Sequence, residues 1–216
     1  MSNFGLSRLR VVNPFEESFR EARSAVGASS VLQAAERYQS VAEAVADCSL
    51  VIGTTAGQNR EVKQPLETLP DAGSTVRKHL AAGRVAILFG SEKRGLSNDD
   101  FTHCHWLMSI PTREQHPSMN LGQAVAVCLY ELTRGSGAAD KREIQERANA
   151  GELEQITTTM FEMLTTSGYV KPRSGASSLE KLRRLVRRLN LDPADAELLL
   201  GMLRKIDWKL KSLRRE

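Results

Sequence analysis

"VAILFGSEKRGLSND" occupies residues 85–99. Its first four residues, Val85 to Leu88, are an unbroken apolar run. A short run of that kind, bounded by a charge and a glycine, predicts a strand buried on both faces, as in a parallel sheet. The chain then leaves through Gly90-Ser91-Glu92-Lys93-Arg94-Gly95-Leu96-Ser97. A plain connecting turn does not need a carboxylate and two cations between two glycines. Glycine lets backbone approach another group closely and presents N–H donors. The segment therefore reads as a strand followed by a binding loop, with a short helix over Asp99 to Cys104.

Working outward, strands and helices alternate. Leu9 to Pro14 reads as a short strand ended by Asn-Pro, and Glu16 to Val26 as a helix ended at Gly27. Ser40 is placed to cap a helix through Asp47, with Glu43 three residues on as in a capping box. Ser49 to Thr55 is an apolar strand running into a small polar loop. Ser74 to Ala82 reads as a helix, Arg84 to Phe89 as a strand, and Trp106 to Ile110 as a strand stopped by Pro111. Leu121 to Thr133 carries apolar residues at Leu121, Ala124, Val125, Cys128, Leu129 and Leu132, the spacing of one helix face. This alternation predicts an α/β domain with a parallel sheet covered on both sides. Gly135 to Asp140 has linker composition. Beyond it the pattern is all-helical: Glu152–Thr166, Ser178–Leu189, and a helix opened by Pro193 in its first turn and running towards Leu213. On the second of these, Leu179, Leu182, Leu185, Val186 and Leu189 fall on one side, and Lys181, Arg183, Arg184, Arg187 and Arg188 on the other.

In an open parallel sheet, ligands sit outside the carboxyl ends of the strands. Three loops occupy such ends: Gly53-Thr54-Thr55-Ala56-Gly57, Gly90 to Ser97, and Ile110 to Asn120. Asn120 stands at a helix-cap position, where backbone amides can face an acceptor.

The chain has 216 residues, a formal net charge of +4 and 41% hydrophobic residues. Residues 171–216 hold 13 Lys/Arg and 6 Asp/Glu, a net of +7, whereas residues 1–170 are at −3. The basic end points to a polyanionic partner. No apolar run reaches transmembrane length, and the N-terminus lacks the apolar core of a signal peptide, so a cytoplasmic protein is expected. Cys48, Cys104 and Cys128 are odd in number and form no Cys-x-x-Cys pair, so they read as core residues. His79, His103, His105 and His116 lack metal-ligand spacing, and no metal site is expected. Neither phosphate-binding glycine motif is present, nor is Gly-x-Ser-x-Gly. The residue patterns reach a polar site at the strand ends and a basic helical tail, and they do not name a reaction.

Two longer segments do. "FGSEKRGLSN" (89–98) resembles the second motif of the SPOUT RNA methyltransferases of the TrmH type. "SIPTREQHPSMNLGQAVAVCLYEL" (109–132) is similar to their third motif, with Ser118-Met119-Asn120 where the family has Ser-Leu-Asn. "GLSRLRVVNP" (5–14), "CSLVIGTTA" (48–56) and the tail, from "GYVKP" (168–172) onward, resemble the TrmJ-like branch. The resemblance implies a C-terminal trefoil knot in the α/β domain, an exception to the rule against knots, followed by a small helical extension. The implied boundaries are 1–135 for the methyltransferase domain, 136–150 for a linker and 151–216 for a tRNA-binding extension. It further implies a homodimer that uses S-adenosylmethionine to methylate a ribose 2′-hydroxyl in the anticodon loop of tRNA.

Carried over residue by residue, Glu92, Ser118 and Asn120 fall on active-site positions. Gly53, Thr54, Thr55, Gly90, Ile110, Met119 and Leu121 fall on positions that enclose the cofactor. Arg94, Lys181, Arg183, Arg184, Arg187 and Arg188 are the expected RNA contacts. Tight turns are the alternative reading for the glycines, pairing with Lys93 or Arg94 for Glu92, and helix capping, which can coexist with function, for Ser118 and Asn120. The family's first motif, a strand and helix bearing an Asn and an Arg, has no counterpart here. The expectation is a start placed late, with Arg8, Arg10 and Arg94 as the cations available in its stead. Two further readings stay open: an RNA-binding or assembly protein that keeps the fold without the chemistry, and a small-molecule enzyme using the same loops.

Overall fold

The structure is a computed structural model that describes all residues except 25–29, 57–61, 114, 117, 135–145 and 214–216. The elements in chain order are β1 (Arg10–Val12), α1 (Glu16–Ser24), α2 (Ser30–Gln33), β2 (Glu36–Tyr38), α3 (Val41–Val45) and β3 (Leu50–Thr54). They continue with β4 (Leu66–Thr68), α4 (Leu69–Ala82), β5 (Val85–Leu88), α5 (Asn98–Thr102), β6 (Trp106–Ser109) and α6 (Leu121–Thr133). The last three are α7 (Ala150–Thr166), α8 (Gly175–Arg188) and α9 (Pro193–Leu213). Among the described residues no helix is long and apolar enough to cross a membrane.

Four strands form a parallel sheet in the order β4-β6-β3-β5, and β1 pairs with β2 in a second parallel pair. Alternation along β3 sends Leu50 and Ile52 to one face and Val51 to the other. All three are 0% exposed. On the first face Leu50, Ile52, Trp106 and Met108 pack with Leu69, Ala72 and Val76 of α4 and Cys128 and Leu132 of α6. On the second, Val51 and Leu107 pack with Val45, Leu96, Phe101, Cys104 and Ala150. Each fully buried Leu, Ile or Val contributes roughly 1.5–3 kcal/mol. The parallel sheet covered on both faces is thus present as expected.

The cysteines lie in these clusters, and burial raises the thiols to about 11 for Cys48, about 12 for Cys104 and about 11 for Cys128. They are packing groups.

Several elements differ from the sequence expectation. β2 and β4 are three-residue strands without an apolar alternation, and neighbours impose them: Glu36 N–H donates to Leu9 O (2.9 Å) and Leu107 N–H to Pro65 O (2.8 Å). α4 begins at Leu69, with Pro70 in its first turn, rather than at Ser74. Ser40 Oγ caps α3 by accepting from Glu43 N (3.2 Å), but Glu43 reaches back to the amide of Gln39 rather than that of Ser40. The linker composition at Gly135–Asp140 falls outside the described residues. The end of the expected 136–150 linker is packed: Ala148 N–H donates to Leu191 O and Ala150 N–H to Cys48 O, each at 2.9 Å.

The three C-terminal helices share their own core of Ala148, Leu153, Ile156, Val186, Ala196 and Leu200. α8 sits on it partly rotated from its hydrophobic pattern: Val186 is in the core and Leu179 and Leu182 are half-buried, as that pattern requires. Leu185 and Leu189 are exposed, whereas Arg183 is 8% and Arg187 2% exposed. The cause is Glu154 on α7. Arg183 donates to Glu154 from Nε (3.0 Å) and Nη2 (2.8 Å), and Arg187 Nη2 lies 3.8 Å from the same carboxylate. Arg183 Nη1 also donates to Thr102 Oγ1 (3.0 Å) at the end of α5. Burial pushes the Glu154 carboxyl up, but the Arg183 hydrogen bonds and the two guanidinium charges outweigh it, and the net is below the ordinary range.

Candidate functional site

β3 lies between β5 and β6, so the loops leaving these three strands emerge side by side at one end of the sheet. Thr54 Oγ1 donates to Leu88 O (2.8 Å), tying the first loop to the end of β5. Thr55 N–H donates to Met108 O (3.0 Å), tying it to β6.

The second loop folds back on itself. Gly95 N–H donates to Ser91 O (2.7 Å), and Gly95 has φ +67°. A side chain on Gly90 would put Cβ 1.9 Å from the Gly95 carbonyl carbon and 2.1 Å from Leu96 N, so backbone passes against backbone and only glycine fits. Leu96 anchors the loop in the second core cluster. Ser97 then starts α5 with a capping box, Ser97 Oγ accepting from Asp100 N (3.1 Å) and Asp100 Oδ2 from Ser97 N (2.7 Å). This leaves Glu92, Lys93 and Arg94 exposed at the tip.

Among the described residues, a side-chain pair joins loops two and three. Asn120 Nδ2 donates to Glu92 Oε1 at 2.8 Å. The same Asn120 caps α6, its Oδ1 accepting from Gly122 N (2.9 Å) and Gln123 N (3.4 Å). Two backbone donors on one end of the amide and a carboxylate on the other leave a single sensible orientation of the side chain. Capping and site assembly therefore coexist at Asn120. Ser118 is exposed beside it, its hydroxyl without a partner among the described residues. Met119 and Leu121 are half-buried, and so is Ile110, which packs against the first core cluster.

Gly53 has a packing reason of its own. A Cβ there would lie 2.8 Å from Leu107 Cδ2 and 2.9 Å from Cys104 Sγ, so its bare side faces the core. Gly57 lies outside the described residues. Glu92, Ser118, Asn120, Thr54, Thr55, Gly90, Ile110, Met119 and Leu121 all belong to this one end of the sheet.

The other expected groups are elsewhere. Arg183 and Arg187 are buried rather than on the surface where RNA contacts were expected, Arg183 hydrogen-bonded to Glu154 and Arg187 3.8 Å from it. Lys181 and Arg188 remain exposed and Arg184 half-buried. Arg8 and Arg10, the cations named as available in place of the first motif, are paired with carboxylates away from the loops. Arg8 grips Glu36 (2.6 and 3.0 Å), and Arg10 grips Asp47 (2.5 and 2.7 Å). Asp47 and Arg84, also paired at 2.5 Å, precede β3 and β5, at the end of the sheet opposite the three loops. Hydrogen bonds from Arg8, then from Tyr38, hold the Glu36 carboxyl down at about 2, and Arg10 holds Asp47 lower still.

Sequence reasoning missed the Ser97–Asp100 box, although Ser-x-x-Asp is its signal. It also missed His105 at the start of β6. His105 Nδ1 accepts from Val51 N (3.1 Å), and burial, then the Arg187 charge, lowers its pKa to about 3. No local pattern marks that pairing.

An open parallel sheet with glycine-bearing polar loops gathered at its carboxyl ends defines a ligand-binding α/β protein. The chain belongs to the SpoU rRNA Methylase family, whose profile matches residues 1–130. It is similar to the TrmJ crystal structure from Z. mobilis ZM4, with a TM-score of 0.83 and 33% identity over 96% of this chain and 90% of that one. The tRNA (cytidine/uridine-2′-O-)-methyltransferase TrmJ of Sodalis glossinidius (strain morsitans) is 30% identical over 98% of this chain and 85% of its own length. That of Salmonella choleraesuis (strain SC-B67) is 31% identical over 98% and 89%.

Proposed function

We propose that this protein transfers a methyl group from S-adenosylmethionine to a ribose 2′-hydroxyl in the anticodon loop of tRNA. The observation that carries the reading is the Glu92–Asn120 hydrogen bond, which joins the second and third loops over the carboxyl ends of β3, β5 and β6. The residues fit the cofactor. Ile110, Met119 and Leu121 would offer half-buried apolar surface to an adenine, the Gly90 backbone would allow close approach, and Glu92 would supply a carboxylate suited to a sulfonium charge. When bound, S-adenosylmethionine supplies the electrophilic methyl.

The protein's share of the work is position. Asn120 is fixed at both ends, by α6 and by Glu92, so it offers a rigid polar edge to a ribose. Ser118 supplies a hydroxyl that is free, among the described residues, to donate or accept. Glu92 Oε2 is the oxygen left over from the Asn120 bond and is placed to accept a proton or orient a hydroxyl. Holding a nucleophile in line accounts for roughly 7–11 kcal/mol in well-oriented reactions. Unpaired anticodon-loop nucleotides can be splayed into such a site, and the 2′-hydroxyl distinguishes RNA from DNA. Arg94, Lys181, Arg184 and Arg188 are the cations we assign to RNA phosphate.

The reading includes a trefoil knot formed by the chain around loops two and three, and a homodimer. Exposed Val127 and Tyr130 on α6 support a face for a second copy. The reading also takes the cytoplasm as the place of action. The test is transfer of labelled methyl from S-adenosylmethionine to a tRNA transcript, followed by mapping of the 2′-O-methyl group. Label on the ribose of an anticodon-loop nucleotide is expected. Tight tRNA binding with no transfer would replace the enzyme with the RNA-binding protein that keeps the fold.

A further inference from the structure

Opposite the three loops, at the amino ends of β4 and β6, the sheet meets α8 across a cavity of about 230 Å³. Five cations line it, Lys63, Lys181, Arg184, Arg187 and Arg188, and among the described residues no carboxylate does. Gathering like charges in a hollow costs free energy unless an anion shares it. Only part of that charge is compensated from outside the cavity. Arg184 Nη1 is 3.4 Å from Glu180, and Arg187 Nη2 is 3.8 Å from Glu154. Lys63, Lys181 and Arg188 have no ion-pair partner among the described residues.

Arg187 is the telling group. Its side chain is 2% exposed, Nη1 donates to Ala150 O (3.3 Å), and Nε–H has no partner among the described residues. Leaving a buried charged donor unmade costs more than an ordinary hydrogen bond contributes. His105 also lines the cavity. Its Nδ1 is occupied by the Val51 amide, so the neutral ring carries its proton on Nε2. The cavity thus joins fixed donors from two parts of the chain far apart in sequence.

We propose that this cavity is a phosphate-binding site. Guanidinium and ammonium donors gathered around one pocket suit phosphate oxygens. β6 spans four residues, about 13 Å of strand, between this cavity and the Ile110 end. The phosphate held here is therefore not the one beside the reacting ribose. It comes either from the backbone of a bound RNA, a source that rests on the tRNA reading above, or from a free phosphate ion. The site itself rests on neither.

Lys63 separates this pocket from a diffuse basic tail, because it lies outside the tail. The full chain is titrated with inorganic phosphate by calorimetry, and with tRNA by filter binding at several salt concentrations. Wild type is compared with Lys63→Ala, an Arg184→Ala/Arg188→Ala double variant, and Lys209→Ala as a charge-matched control on α9. Thermal midpoints and S-adenosylmethionine binding report folding. We expect Lys63→Ala and the double variant to lower phosphate affinity at least tenfold and Lys209→Ala to leave it unchanged. If RNA is the source, Lys63→Ala also reduces the slope of log affinity against log salt by about 1. If a free ion is the source, tRNA affinity and slope stay at wild type while phosphate binding falls. Phosphate and tRNA binding unchanged in both variants overturns the proposal, as does an equal loss in Lys209→Ala.

Discussion

At the carboxyl end of the sheet, loops are joined by backbone against backbone at Gly90 and by single hydrogen bonds such as Thr54 to Leu88 O and Asn120 to Glu92. At the amino end, the joints are ionic: Arg10 and Arg84 on Asp47, Arg8 on Glu36, Arg183 and Arg187 around Glu154. The first end keeps polar groups exposed and lightly held, which suits a surface that must admit a ligand. The second encloses charge and fastens the helical extension to the sheet. A protein that has to present a site on one side and hold an appendage on the other divides its interactions accordingly.

The largest expected effect strikes the ionic end. Glu154→Ala leaves Arg183 and Arg187 buried without their carboxylate and should lower unfolding free energy by about 3–5 kcal/mol in urea titration. A loss below about 1 kcal/mol would erase the distinction between the ends. Acid probes the same region. Burial, then the Arg183 charge, lowers the folded pKa of His103 to about 4, and His105 is lowered to about 3. Both fall below the unfolded value near 6.5, so the unfolded chain binds the protons first and stability declines as pH drops from about 6.5 towards 4. Each histidine accounts for on the order of 2–3 kcal/mol by pH 4.5. Glu36 and Asp47 contribute stability present above the unfolded carboxylate values and lost mostly below pH 4.5, as pH falls towards their folded values. Urea midpoints from pH 7 to 4.5 measure the histidine slope, and His103→Gln should remove about half of it.

At the site end, Gly90→Ala forces Cβ into the Gly95 backbone. It should cost about 1–3 kcal/mol as overpacking does and weaken S-adenosylmethionine binding at least tenfold by calorimetry. Asn120 separates capping from assembly. Asn120→Ala loses both roles and about 1 kcal/mol of stability, whereas Asn120→Asp keeps a good cap but sets a carboxylate against Glu92. The aspartate form should unfold like wild type and transfer methyl at least tenfold more slowly. Smallest of all, Leu185→Ser on the exposed side of α8 should change stability by less than about 0.5 kcal/mol.

How legible these regions were follows from the range of the interactions that build them. α6 runs from Leu121 to Thr133 as its spacing predicts, because six apolar positions on one face agree with a cap at Asn120. The glycine loop after β5 declares itself locally. Its partnership with Asn120, 28 residues on, does not. On α8 the leucine stripe is legible through Val186, but the burial of Arg183 and Arg187 in place of Leu185 and Leu189 is not, because it depends on a carboxylate 29 residues before Arg183. β2 and β4 exist through their neighbours' hydrogen bonds and leave no periodic trace. The resemblance to a family carried the site residues further than spacing alone.

The first turn of α7 donates its amides across the chain, Ala150 to Cys48 O and Gly151 to Ala46 O, both at 2.9 Å, with Ala150 inside the sheet's own core. Anyone wishing to graft this tail onto a different catalytic head will find no clean seam there. Cutting at 150 removes a plug from the recipient as well as a handle from the donor, and the two pieces have to be transplanted together with the carbonyls that receive them.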